Sequence, residues 1–216
     1  TLLGYFLLAS NITVEKLLLE SYNRYEINFS TAALFMILTA LQELLKRGSL
    51  QRIKPVSWKI LLLMSLFTLG AWHCFLSALS GLSVFEFGAM SLLAPVVMAS
   101  LAMLILRERP SPWIWPAIGL GIVGGWLMVN VEWQGWSSGY YHAFMLGALL
   151  FSSLRWITVK YAGESVHASA MIFWEPIMVL LAMGSIIDLA DLWNKMTPML
   201  FGSAVLLFLS RQCLVR

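Results

Sequence analysis

Two stretches decide what this chain can fold into: Ile60 to Phe85 and Pro110 to Val131 each run unbroken by Asp, Glu, Lys or Arg. A helix needs ~20 apolar residues to cross ~30 Å of hydrocarbon, and both runs exceed that. A transmembrane β-barrel would show ~10-residue segments alternating apolar and polar side chains, so the spanning element is the helix. Composition closes the soluble alternative. Of 216 residues 60% are hydrophobic and 12% charged, about half the ~25% charge of ordinary soluble domains. The sequence predicts an all-α, polytopic helical membrane protein with the lipid bilayer as its solvent.

Apolar runs between charged punctuation place spans near 1–20, 28–45, 58–79, 85–106, 112–131, 141–163, 168–187 and 197–214. Lys46, Arg47, Arg52, Lys54 and Lys59 fall between spans two and three, and Arg107 and Arg109 between four and five. Arg155, Lys160, Arg211 and Arg216 belong to the same side, against Lys16, Arg24 and Lys195 on the other. The positive-inside rule therefore puts the even-to-odd connections and the N-terminus in the cytoplasm. The net charge of +3 is topological. Its carriers are scattered over four connections, whereas a nucleic-acid site needs one contiguous basic patch.

Other chemistries find no footing. Cys74 and Cys213 end spans of opposite direction, so no disulfide is expected, and no His/Cys cluster at metal-ligand spacing suggests a metal or other cofactor. Gly119-x-Gly121-x-x-Gly124 has the spacing of a dinucleotide fingerprint but lies mid-membrane without a preceding strand. Gly121 and Gly125 read better as a helix-packing face, within the fold or between the subunits of a homodimer. Asn11-Ile-Thr13 and Asn28-Phe-Ser30 match the glycosylation pattern at positions where modification is not expected. The chain opens on Thr1 with no basic leader, so no signal peptide is read, and trimming of the N-terminus is expected.

Internal similarity carries further. Leu3-Gly4-Tyr5-Phe6-Leu7-Leu8-Ala9-Ser10 aligns with Leu146-Gly147-Ala148-Leu149-Leu150-Phe151-Ser152-Ser153, each followed within eight residues by a lysine, Lys16 or Lys160. If spans one and six correspond, the repeat is five helices long and its second copy enters the membrane inverted, an architecture of secondary transporters. The expected division is 1–131 as one five-helix repeat and 141–216 as an incomplete second.

The segments Ser91-Leu-Leu-Ala-Pro95, Leu104-Ile-Leu-Arg107-Glu108-Arg109-Pro110-Ser111 and Gly119-Leu-Gly121-Ile-Val-Gly124-Gly125 resemble the EamA-type signature of the drug/metabolite transporter superfamily. Ser153-Leu-Arg155-Trp156-Ile-Thr-Val-Lys160 and Glu175-Pro176-Ile-Met-Val-Leu are similar to its triose-phosphate and nucleotide-sugar branch. The resemblance implies ten helices as five plus five, of which about eight are present. It also implies that the missing ninth helix carries much of the phosphate- or nucleotide-binding motif.

Charge inside a bilayer costs about 2.5–3.5 kcal/mol on insertion scales, so intramembrane ionisable residues are candidates for function. Arg155 and Glu175 each lie about 11 Å deep, placed either to pair or to line a solute path. Lys16 and His73 lie roughly 22 Å from the cytoplasmic ends of their spans, with Glu86 at the same level, and together could cap the outer side. Snorkelling to the interface accounts equally well for Lys16 and Glu86. Asn11 is more central, suited to solute contact or to a bond with a neighbouring helix. Pro95 and Pro176 should kink their helices, as gates or as packing.

These readings favour a secondary transporter of a small organic solute, not an enzyme. Within that class a sugar-phosphate or nucleotide-sugar exchanger competes with an amino-acid or drug exporter. An intramembrane enzyme would need a nucleophile with its base, and His73 has no compelling partner in sequence. A non-transporting scaffold or receptor is the remaining alternative. The membrane would be the inner one in a bacterium, or that of the Golgi, endoplasmic reticulum or plastid in a eukaryote.

Overall fold

The computed structural model describes residues 2–47, 51, 54, 57–107, 111–116, 118–120, 123, 136–162, 168–188, 191–192 and 198–215. Among them every regular element is helical. In chain order these are α1 (Leu2–Leu18), α2 (Arg24–Arg47), α3 (Trp58–Gly81), α4 (Val84–Ser91) and α5 (Ala94–Leu101), which runs on into a π-helical turn, Ala102–Leu106. Then come α6 (Trp136–Ala162), α7 (Ala168–Trp174), α8 (Ile177–Gly184) and α9 (Pro198–Val215). The segments Arg24–Lys46, Trp58–Gly81, Glu86–Leu106 and Gly139–Ala162 are long and apolar enough to cross a membrane, and Ser169–Gly184 and Pro198–Ser210 are shorter apolar helices.

Five expected spans coincide with one helix each, and two are split. The fifth, 112–131, lies mostly outside the described residues. The second begins a turn earlier than its apolar run because Asn23 caps it: Asn23 N–H donates to Glu26 Oε2 at 2.8 Å, and Tyr25 N–H donates to Asn23 Oδ1 at 3.4 Å. Side-chain partners for the free N–H groups of a first turn extend a helix into polar sequence.

Both splits fall at proline. After α4, Leu92 and Leu93 donate to the Ala89 and Met90 carbonyls at 3.2 and 3.0 Å, a tightened last turn, and Pro95 enters the first turn of α5. There its missing N–H leaves no bond unmade. Pro176 stands further out, as the residue before the first turn of α8. Leu92 and Leu93 keep right-handed helical angles, and the apolar segments Glu86–Leu106 and Ser169–Gly184 continue through both positions, so each proline marks a distorted turn within one span. At the end of the π-helical turn Arg107 adopts a left-handed conformation, φ 53°.

The chain forms two compact units, Thr1–Leu69 with Ala162–Arg216, and Gly70–Tyr161. They group helices by contact and cross the 1–131 and 141–216 division, which concerns chain topology instead. In the first unit α1 lies along α9, α9 along α2, and α2 along α7 and α8. Ser169 Oγ donates to Glu43 Oε1 at 2.7 Å, and a Cβ on Gly184 would stand 3.2 Å from the Phe29 ring. As α2 advances from 29 to 43, the α7–α8 pair retreats from 184 to 169, so the two run antiparallel in register. Phe35 and Phe208 meet edge to face, centroids 5.9 Å apart.

The second unit is built on glycine contacts. A Cβ on Gly70 would meet the Phe151 ring at 2.9 Å, one on Gly81 the Tyr141 ring, and one on Gly147 Cys74 Sγ at 3.2 Å. As α3 advances from 70 to 81, α6 retreats from 151 to 141, again antiparallel. Aromatic pairs fill the remainder: Phe75 with Phe87 at 4.7 Å, and Tyr140 with Phe144 at 4.7 Å.

Candidate functional site

Lipid offers no hydrogen bonds, so each polar group in a spanning helix must find its partner inside the protein. Many hydroxyls here do so on their own helix, donating one turn back. Thr39 bonds the Phe35 carbonyl at 2.8 Å, Ser91 that of Phe87 at 2.8 Å, Thr158 that of Leu154 at 2.9 Å and Ser210 that of Leu207 at 2.7 Å. Such back-bonding is structural. The side chains that depart from it mark the candidate site, and in the first unit they form three groups.

On α1, Asn11 is 2% exposed and donates from Nδ2 to Glu15 Oε1 at 3.0 Å. A spacing of four puts both on one helix face. Asn11 Oδ1 is buried and has no partner among the described residues.

The second group surrounds the break before Pro176. Ser65 Oγ, on α3, donates to the Trp174 carbonyl at 2.6 Å, and Thr68 Oγ1, three residues on, reaches Glu175 Oε1 at 3.4 Å. Ser65 and Thr68 are fully buried and Glu175 nearly so. Trp58 adds an edge-to-face contact with Trp174, 5.0 Å between centroids. A proline interruption frees backbone carbonyls that neighbouring Ser and Thr side chains re-satisfy, and here two hydroxyls on one face of α3 serve both the backbone and the carboxylate.

The third group is on α2. Asn28, Ser30 and Thr31 are buried, yet Asn28 Nδ2, Ser30 Oγ and Thr31 Oγ1 have no hydrogen-bond partner among the described residues. Each such group costs about 1–3 kcal/mol.

The residues singled out from sequence fare differently. Asn11 and Glu175 occupy the first two groups, and Pro176 makes the break beside Glu175. Lys16 sits in the last turn of α1, half-buried. His73 meets Phe144 edge to face at 6.3 Å. Glu86 closes a capping box: its N–H donates to Ser83 Oγ at 3.2 Å and the Ser83 N–H donates to its Oε2 at 2.9 Å. That role fixes the start of α4. Arg155 is 6% exposed, its guanidinium carbon 4.4 Å from the Trp156 ring centroid. Pro95 opens α5. Gly121 and Gly125 lie outside the described residues, as do Glu108, Arg109 and Pro110.

Glu15, Ser65, Thr68 and Thr31 carry no mark in the sequence beyond spacing: Asn11 and Glu15 stand four apart, Ser65 and Thr68 three. Among the described residues no group of three or more His, Cys, Asp or Glu side chains could hold a metal ion.

No curated protein and no solved structure matches the chain. Residues 1–130 match the EamA-like transporter family, which is more than half of the 216. Apolar membrane-crossing helices, buried polar groups and two proline-split spans are the setting of that match, and this integral membrane protein belongs to the EamA-like transporter family.

Proposed function

We propose that this transporter moves a sugar phosphate, a nucleotide sugar or a related metabolite by alternating access between inverted halves, 1–131 and 141–216. The observation that carries the substrate class is Arg155, a guanidinium buried in a spanning helix. Placing it there is costly, and its planar fork of donors suits phosphate oxygens. Asn11, Lys16, His73, Glu86, Arg155 and Glu175 are assigned to the solute path, with Pro95 and Pro176 as hinges. Exchange or a gradient supplies the drive, and the solute is not chemically altered. The N-terminus faces the cytoplasm, and the Gly121 and Gly125 face packs helices, in one subunit or across a homodimer.

A second reading has its own observation. Glu15, Glu43 and Glu175 are all buried in the first unit, and carboxylates suit an amine-bearing solute such as an exported amino acid or drug. Counterflow in proteoliposomes separates the two. Preloaded glucose 6-phosphate should accelerate saturable uptake of its labelled form, and Arg155→Leu should abolish this. Counterflow of a labelled amino acid alone would favour the second reading. Counterflow with neither would leave the non-transporting scaffold.

A further inference from the structure

Three side chains of α2 with an unpartnered buried atom, Asn28, Ser30 and Thr31, fall in one turn, and two of them share a face. At 100° per residue, Arg24, Asn28 and Thr31 fall within an arc of about 60°, whereas Ser30 lies about 160° from Asn28 and is excluded. Thr31 could have bonded the Ile27 carbonyl one turn back, as Thr39 bonds that of Phe35 at 2.8 Å. Its hydroxyl is left without a partner among the described residues instead, and so is Asn28 Nδ2, on a side chain only 3% exposed. Buried polar groups in native proteins are hydrogen-bonded in the large majority, and each exception calls for an explanation, a bound ion among them.

The chemistry on this face is that of donors. Asn28 Nδ2 offers two N–H bonds and Thr31 Oγ1 one O–H. Arg24 stands one turn nearer the start of the helix, its guanidinium carbon 5.2 Å from the Tyr25 ring centroid. The partial positive charge of the helix N-terminus acts within the first turn, where Arg24 stands. The acid of that first turn, Glu26, points about 160° away from Asn28 around the helix and is engaged by the Asn23 N–H at 2.8 Å.

We infer that Arg24, Asn28 and Thr31 form a binding site for an anionic oxygen group, a phosphate or a carboxylate. It deepens the phosphate-solute reading above and rests on it for the identity of the ligand. Because Asn28 and Thr31 are buried, the ligand reaches them when α2 parts from its neighbours, so occupancy is tied to one phase of the transport cycle.

The test reads binding and folding separately, in purified full-length protein. Thermal unfolding is followed while inorganic phosphate, or succinate, is titrated in. Asn28→Leu and Thr31→Val remove the donors while keeping apolar bulk. Each variant should unfold at a higher temperature than the parent without ligand, yet need about tenfold more anion for half the thermal shift. Ser30→Ala should titrate like the parent. A parent stabilised by phosphate alone identifies a phosphate site, and one stabilised by succinate alone a carboxylate site. The inference is overturned if neither anion shifts the parent, or if both variants titrate unchanged. Should Asn28→Leu fail to fold, Thr31→Val decides. Anion binding that survives without counterflow of any solute would overturn the transport reading and leave this site standing.

Discussion

The two compact units solve the same problem, life in lipid, in opposite ways. The second unit closes α3 against α6 with glycines under aromatic rings, Gly70 under Phe151 and Gly81 under Tyr141. Most of its buried polar groups are hydroxyls, several bonded to their own helix. The first unit buries three glutamates and two asparagines together with Ser and Thr from three helices, and part of that set is bonded across helices or has an atom with no partner among the described residues. Apolar closure is the less costly construction in a bilayer, so the expense marks working positions in each unit: the cross-helix polar set of the first, and in the second Arg155, a buried charge set among hydroxyls. The teaching is that polarity beyond structural need separates working surface from scaffold.

That contrast can be broken experimentally, and the largest effect should come from the helix break. Glu175→Gln keeps shape and removes charge; counterflow should fall by two orders of magnitude or about 3 kcal/mol of transition-state stabilisation, with expression unchanged. Normal transport by this variant would move Glu175 into the scaffold. Next comes a purely structural change in the second unit. Gly81→Leu forces a side chain into the Tyr141 ring and should cost about 1–3 kcal/mol by overpacking, read as a lower unfolding temperature. Ser65→Ala removes the bond to the Trp174 carbonyl and should cost roughly 1 kcal/mol, with Ser65→Thr restoring part of it. Smallest is Thr39→Val. Its hydroxyl only back-bonds Phe35, so stability and transport should both stay within about 0.5 kcal/mol of the parent. A large loss there would show that back-bonded hydroxyls also work.

Much of the architecture was legible because lipid permits so few answers. Apolar runs located seven of the eight expected spans among the described residues, and proline identity located both splits, at Pro95 and Pro176. The start of α2 was misjudged because hydropathy reads Arg24 and Glu26 as loop, whereas the Asn23 cap draws them into the helix. The site was less legible. Asn11, Arg155 and Glu175 are conspicuous as polar residues in apolar runs, but Glu15 looks like an interfacial acid and Ser65 and Thr68 like ordinary small residues. Which side of a helix is buried cannot be read when every side is apolar. Thr39 and Thr31 show the limit: the same residue type on the same helix, one bonded to its own backbone and one not.

The register between α2 and the α7–α8 pair has a mechanical meaning. The pair meets α2 near both ends, through the Ser169 bond to Glu43 and the close approach of Gly184 to Phe29, with the interruption at Glu175 and Pro176 between these points. A rod held at both ends cannot slide along its length; it can only bow. Bowing at the break would carry the Glu175 carboxylate toward or away from Thr68, the hydroxyl it meets at 3.4 Å.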